Sequence, residues 1–434
     1  MSARKLRQNP HGSVLIVVLW ASFGLVSVSL LFGHSMLMSY RGADNDLAGR
    51  QAEQAIEGAA RYAESLLMET ETPGLLPDPL LYTSETVAVG EATFWFLGRA
   101  TDTTDGIVRE YGLVDEAAKL NLNSPLVTTA LLMELPEMTE EFAAAILEWR
   151  SPSTDESAGS GSVSGTTVKH GPFESVEELA LVSGATREIV FGEDANMNGV
   201  LDPNEDDGGQ SLPADNGDGK LDPGLLEYFT VFSKEPTTAS DGTPRLDVTQ
   251  AAQREPLRTL LRETFPDRGE EMITALGDAP LTSVLELLSR CAMTAEEAEK
   301  IVDKVRGATV EGLVNVNTAS EAVLTLIVGA EKASALVAAR LNRAQQTRDM
   351  TWTIPILEQQ GVTERGPFLT GSSYQVTADV AAVGRHGRGY RRARVVIDIN
   401  SGTPQIVYRR NLASLGWALG AEVRQELALK KEVR

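Results

Sequence analysis

Ser13-Val14-Leu15-Ile16-Val17-Val18-Leu19-Trp20 opens the stretch that decides the fold, an apolar run continuing to Tyr40 without a single Asp, Glu, Lys or Arg. A bilayer's hydrocarbon core needs about 20 apolar helical residues, so residues 13–40 suffice to span one. Arg4, Lys5 and Arg7 precede the run, which places the N-terminus on the cytoplasmic side. The run is too long for the h-region of a cleaved secretory signal peptide. Beyond Tyr40 the composition turns polar while a helical period persists through Leu47, Ala52, Ile56, Ala59, Ala63, Leu66 and Leu67. The chain is expected to form one helix over 13–68, lipid-facing first and amphipathic after, ended by Pro73-Gly74.

Outward from this helix, Val87–Val89, 93–97, 107–108 and 113–114 read as short strands between turns. Strand character returns only at 373–380, 390–399 and 405–410, predicting one small antiparallel sheet split by a long insertion. Within the insertion, Leu120-Asn121-Leu122-Asn123-Ser124 and Val314-Asn315-Val316-Asn317-Thr318 each lead a helix, a break and a second helix. A weaker copy begins at Leu246-Asp247-Val248-Thr249. Such self-similarity marks a repeated supersecondary unit. Asn123 and Ser124 are expected to cap the helix that follows them. Residues 151–167 read as a flexible Ser/Gly/Thr loop, 234–244 as a turn-rich connector, and 430–434 as a frayed tail.

Asp194-Ala195-Asn196-Met197-Asn198-Gly199-Val200-Leu201-Asp202-Pro203-Asn204-Glu205 satisfies a twelve-residue calcium loop at every ligand position. Asp194, Asn196 and Asn198 offer side-chain oxygens at 1, 3 and 5, and Gly199 permits the turn at 6. Val200 offers its carbonyl at 7, Asp202 acts at 9, and Glu205 can bind with both oxygens at 12. The following Asp215-Asn216-Gly217-Asp218-Gly219-Lys220-Leu221-Asp222 imitates it imperfectly; Asp215, Asp218 and Asp222, joined by Glu227, could gather around a second ion irregularly. Between Glu193 and Glu227 stand ten carboxylates and one lysine, a density that needs solvent or cations. The expected role is structural, a clip on a long insertion.

The 434 residues imply two or three domains, and 42% hydrophobic with 23% charged residues is ordinary for a folded chain. A net charge of -22 opposes nucleic-acid binding, which needs basic surface. Cys291 stands alone and excludes an intrachain disulfide. The four histidines (His11, His34, His170, His386) have no ligand spacing and no nucleophile–base motif is present, so no enzyme is expected.

Several of these features together carry a family resemblance. A short basic leader ending in Gly12 directly before an apolar helix resembles type IV pilin-like proteins, and this implies cleavage between Gly12 and Ser13 by a prepilin peptidase, with methylation of the new terminus. Most such proteins carry Glu at the fifth mature position; here it is Val17. That departure, the junction Tyr111-Gly112-Leu113-Val114-Asp115-Glu116-Ala117-Ala118, and the split sheet resemble the K-type minor pseudopilins of type II secretion (the GspK family). The hairpin units resemble helix-hairpin-helix modules, with acidic turns (Pro136-Glu137-Met138, Glu331) unsuited to DNA. The fold class implied is α+β: a pilin-like N-terminal helix plus small antiparallel sheet, interrupted by an inserted α-helical domain. Its segments are a leader (1–12), helix (13–68, of which 13–40 transmembrane), first sheet part (69–119), insertion (120–366, with the acidic loop 193–227) and second sheet part (367–434). The resemblance further implies a structural calcium ion, residence in the inner membrane with the body in the periplasm, and a place at the pseudopilus tip beside I- and J-type minor pseudopilins. The alternative is a membrane-anchored calcium-binding adhesin or nucleic-acid-uptake protein.

Overall fold

A computed structural model of the chain describes residues 11–99, 109–152, 162–163, 166–341, 343 and 347–432. The leader up to residue 10, the expected strand at 107–108, most of the Ser/Gly/Thr stretch and the last two residues lie outside the described residues.

Helix α1 runs unbroken over His11–Glu69, and no side chain in its most apolar stretch is buried. Its distal half packs on the sheet by most of the expected stripe, with Ala52, Ile56, Ala59, Ala63 and Leu67 buried and Leu47 and Leu66 left out. Ala48, Ala52, Ala55, Ala59 and Ala63 are fully buried, whereas Leu47 is 43% exposed and Leu66 only half-buried. Alanines win because a methyl lets the helix axis approach the sheet closely, while larger residues are kept to Ile56 and Leu67 at the margins.

After β1 (Val87–Val89) and β2 (Ala92–Phe96), strand β3 (Val114–Asp115) ends the first sheet segment. The insertion follows, as three successive units, each opened and closed by two-residue parallel strands. In the first, β4 (Leu120–Asn121) leads through α2 (Thr129–Leu132), α3 (Glu140–Arg150), a small hairpin of β5 (Ser162–Val163) and β6 (Thr166–Thr167), α4 (Arg187–Phe191) and α5 (Leu225–Tyr228) to β7 (Phe229–Thr230), pairing Leu120 with Phe229. The second runs from β8 (Leu246–Asp247) through α6 (Arg254–Thr264), α7 (Gly269–Leu276), α8 (Val284–Arg290) and α9 (Ala295–Ile301) to β9 (Val305–Arg306), pairing Leu246 with Val305. The third runs from β10 (Val314–Asn315) through α10 (Glu321–Val328), α11 (Ala330–Arg340) and α12 (Ile354–Arg365) to β11 (Leu369–Thr370), pairing Val314 with Leu369. One continuous core joins them, centred on side chains such as Leu132, Phe142, Leu261, Leu285, Leu324 and Leu357.

The opening strands share a side-chain device. Asn121, Asp247 and Asn315 each accept a hydrogen bond from the backbone N–H two residues on, at 2.8–3.0 Å. The expected caps are corrected here: Thr128, not Asn123 or Ser124, caps α2. Asn123 instead exchanges two hydrogen bonds with the backbone of Phe173, and Ser124 Oγ donates to the Glu311 carbonyl. A cap must stand directly before its helix; α2 begins only at Thr129, and Ser124 Oγ accepts instead from Leu126 N in the turn that precedes it.

The chain then returns to the sheet with β12 (Gln375–Gly384), β13 (Arg388–Asp398) and β14 (Gln405–Asn411). The order is β1-β2-β12-β13-β14, all antiparallel, with β3 also pairing with β12. This is the α+β class expected. The alternation read over 373–380 does not mark a half-exposed strand, because all ten residues of β12 are buried. Helix α1 covers one face, and Ala418 and Leu419 pack on Trp95, Leu97, Ala381 and Val383 across the other. The final helix α13 (Gly420–Glu432) carries the charged tail in helical form to Glu432.

Candidate functional site

The acidic excursion leaves the first unit between α4 and α5, and its ends are pinched together. Gly192 and Gly224 both have positive φ, and a Cβ at Gly192 would lie 2.1 Å from the Asp222 carbonyl oxygen. Only glycine lets the two strands of chain cross this closely.

Inside the pinch, the twelve-residue loop folds around its own carboxylates. Asp194 accepts from the N–H groups of Asn198 (2.9 Å) and Gly199 (2.7 Å). Glu205 closes the loop by accepting from Ala195 N (2.9 Å) and Asp202 N (3.0 Å). Asp202 accepts from both Asn196 Nδ2 and Asn198 Nδ2, and Asn198 Oδ1 accepts from Val200 N. Asp194, Asn196, Asn198 and Glu205 are all buried. Burial, aided by the charges of Asp194 and Asp202, pushes Glu205 up to about 8, and burial likewise raises Asp194. Asn196 Oδ1 is buried with no hydrogen-bond partner. An oxygen-only set of this kind, with an orphaned amide oxygen and carboxylates pushed towards protonation, fits a hard cation such as calcium. Among the described residues no three His, Cys, Asp or Glu side chains already converge as a metal cluster: Asp194 and Glu205 are turned to backbone donors and Asp202 to the two asparagine amides.

The second stretch is arranged differently. Asp215 accepts from Gly208 N and Gly209 N, Asp218 from Lys220 N, and Asp222 from Asn216 Nδ2. Glu193 accepts from Asn216 N (2.9 Å) and Asp222 N (3.3 Å). Glu227 does not join them. Its carboxylate faces Arg99 and Lys119 at 3.3 and 3.4 Å, which hold it below the ordinary range against the opposing effect of burial. Gly12 and Ser13, where cleavage is expected, both lie within α1.

Sequence reasoning missed the seat of the loop. Buried Arg392 of β13 donates to the carbonyls of Asn196 and Met197 while paired with Asp379 at 2.7 Å. Arg99 donates to the Met197 carbonyl at 2.8 Å, and Asn198 Nδ2 reaches the Ala418 carbonyl. The loop of the insertion is thereby anchored to the sheet. A cluster of Arg residues on a strand (Arg391, Arg392, Arg394) was the one available signal, since an arginine in a buried strand needs an acceptor.

The junction Asp115-Glu116 is a second knot. Asp115 accepts from Ala117 N (2.7 Å), Asn315 Nδ2 (2.9 Å), Thr318 Oγ1 and Ser373 Oγ; Glu116 accepts from Thr230 and Thr377 hydroxyls. Two adjacent carboxylates therefore join the first unit, the third unit and the sheet.

No protein-family model and no curated protein matches the chain. Among solved structures it is similar to a chain in the crystal structure of the GspK-GspI-GspJ complex from the enterotoxigenic Escherichia coli type 2 secretion system, with 11% identity over 83% of this chain and 96% of that one and a TM-score of 0.42.

Proposed function

We propose that the protein is a non-enzymatic K-type minor pseudopilin of a type II secretion system. The observation that carries this reading is α1: one helix that is wholly exposed and charge-free from Val14 to Tyr40 and then packs by an alanine stripe on an antiparallel sheet. The first half suits a bilayer or a bundle of like helices, the second a folded body outside it. Val17 supports the tip position, because an uncharged fifth residue is cheap to bury and cannot pair with a neighbour's terminal amine. The insertion, standing on the sheet, would obstruct a subunit added above. On this reading the chain sits in the inner membrane with its body in the periplasm and assembles with I- and J-type pseudopilins.

Asp194, Asn196, Asn198, the Val200 carbonyl, Asp202 and Glu205 would hold a calcium ion, and Asp215, Asp218 and Asp222 a weaker second one. The ion would supply positive charge to a buried acidic loop, while Arg392 and Arg99 hold the loop's backbone on the sheet.

The deciding experiment is intact mass after co-expression with a prepilin peptidase. A new N-terminus at Ser13, with one added methyl group, is the expected result. A chain still carrying Gly12 beside an active peptidase would sink the reading.

A further inference from the structure

The lowest part of the folded body lies where α1 leaves its charge-free run. The turn joining β12 to β13 packs on α1 at Ala48: a Cβ at Gly384 or Gly389 would lie 2.1–2.3 Å from the Ala48 backbone. From this turn Arg385 and Arg388 reach down the helix, and both pair with the single carboxylate of Asp44. Two guanidinium groups thus share one negative charge, and buried Arg385 Nε has no partner. Arg41 is exposed on the same helix one turn below. Nearby, Glu53 pairs with Arg391 at 2.9 Å, while Glu91, held by the neutral amide of Gln51, keeps its charge within reach of Arg385. Between helix and turn lies a groove of about 430 Å³, with Tyr40, Ala43 and Leu47 on one side and Arg385 and Arg388 on the other. The lining itself carries three arginines against one carboxylate over an apolar floor, which stands out on a chain of net charge -22.

Height along the helix gives the groove its partner. The run from 13 to 40 is about 42 Å long at about 1.5 Å per residue. A bilayer with its headgroups measures about 40–45 Å. When the run fills the bilayer, Arg41 lies at the outer headgroup plane and Asp44, four residues beyond Tyr40, only about 6 Å above that residue. Arginine side chains are long enough to lay an apolar stem on the groove and place their heads among phosphates.

We propose that Arg385 and Arg388, with Arg41, form a phosphate-binding collar that seats the folded body on anionic lipid headgroups of the leaflet where α1 emerges. The inference rests on α1 crossing the bilayer. Guanidinium groups bind phosphate oxygens through paired N–H donors, and each basic residue near an anionic surface contributes about fivefold in binding.

The test uses the full chain in nanodiscs of phosphatidylcholine alone or with phosphatidylglycerol, reading hydrogen–deuterium exchange by mass spectrometry. Residues 384–391 are expected to exchange at least about fivefold more slowly in the anionic discs. Arg385→Gln with Arg388→Gln removes the difference, and Arg385→Lys with Arg388→Lys keeps most of it. Unchanged protection of 376–382 in both variants shows that the sheet is intact. Equal exchange of 384–391 in the two lipids, with 14–36 protected in both, overturns the collar while leaving the anchor standing. Free exchange of 14–36 in both lipids overturns the anchor and the collar together.

Discussion

Single buried ionisable groups set how tolerant this molecule is of substitution. Asp379 of β12 is buried, yet Arg392 and Arg394 outweigh that burial and hold its carboxyl below its ordinary 3.8. A depressed carboxyl stabilises the fold above the unfolded value, and that contribution is lost as pH falls below about 3.8. Asp379→Asn should therefore flatten the acid limb of a stability–pH curve measured by urea unfolding. At neutral pH it should cost about 3–5 kcal/mol, because two arginines lose their counter-charge. Cys291 is the opposite case: buried, with its thiol pushed up to about 11 by burial. It should not react with Ellman's reagent at pH 8 in the native protein and should react fully in denaturant. Fast native labelling would show that α8 opens readily. The Asp-Glu pair at 115–116 was legible in sequence as a junction, but not as a knot, because its partners Thr230, Asn315 and Ser373 are remote in the chain.

Elements here are selected by how closely they must approach. Ala59→Leu in α1 should destabilise by about 1–3 kcal/mol through overpacking against the sheet. Leu47→Ala, at an exposed position, should change urea stability by less than about 0.5 kcal/mol. Similar costs for both would mean that the helix does not pack by its small face. The acidic loop obeys the same geometry. Gly192→Ala places a methyl in contact with the 222–224 backbone at positive φ and should cost about 2–3 kcal/mol or more. Its ligand chemistry is tested separately: adding calcium to chelated protein should raise Tm, and Glu205→Gln should abolish most of that rise. An identical rise in the variant would remove Glu205 from any calcium site. The loop's spacing was readable because each ligand lies within twelve consecutive residues.

At the scale of the whole molecule, the sheet and the insertion are held together by contacts between residues far apart in the chain. Arg392 reaches Asn196 across 196 positions, and Arg99 reaches Met197 across 98. Stripping a cation from the loop with a chelator should therefore speed hydrogen exchange at 392–394 and 417–418 as well as within 194–205. Exchange confined to the loop would show that the two bodies are coupled elsewhere. What the amino-acid order alone determined is whatever depends on neighbours in sequence: the charge-free run, the unbroken helical period after it, the twelve-residue ligand spacing and the repeated strand–helix openings. What only the tertiary structure decided is that Leu47 and Leu66 fall outside the buried stripe of α1, that β12 is covered on both sides, that Thr128 rather than Asn123 caps α2, and that Glu227 belongs to Arg99 and Lys119. Local order sets the dihedral preferences and side-chain periods of a segment, whereas burial and ion pairing depend on which distant segment closes over it.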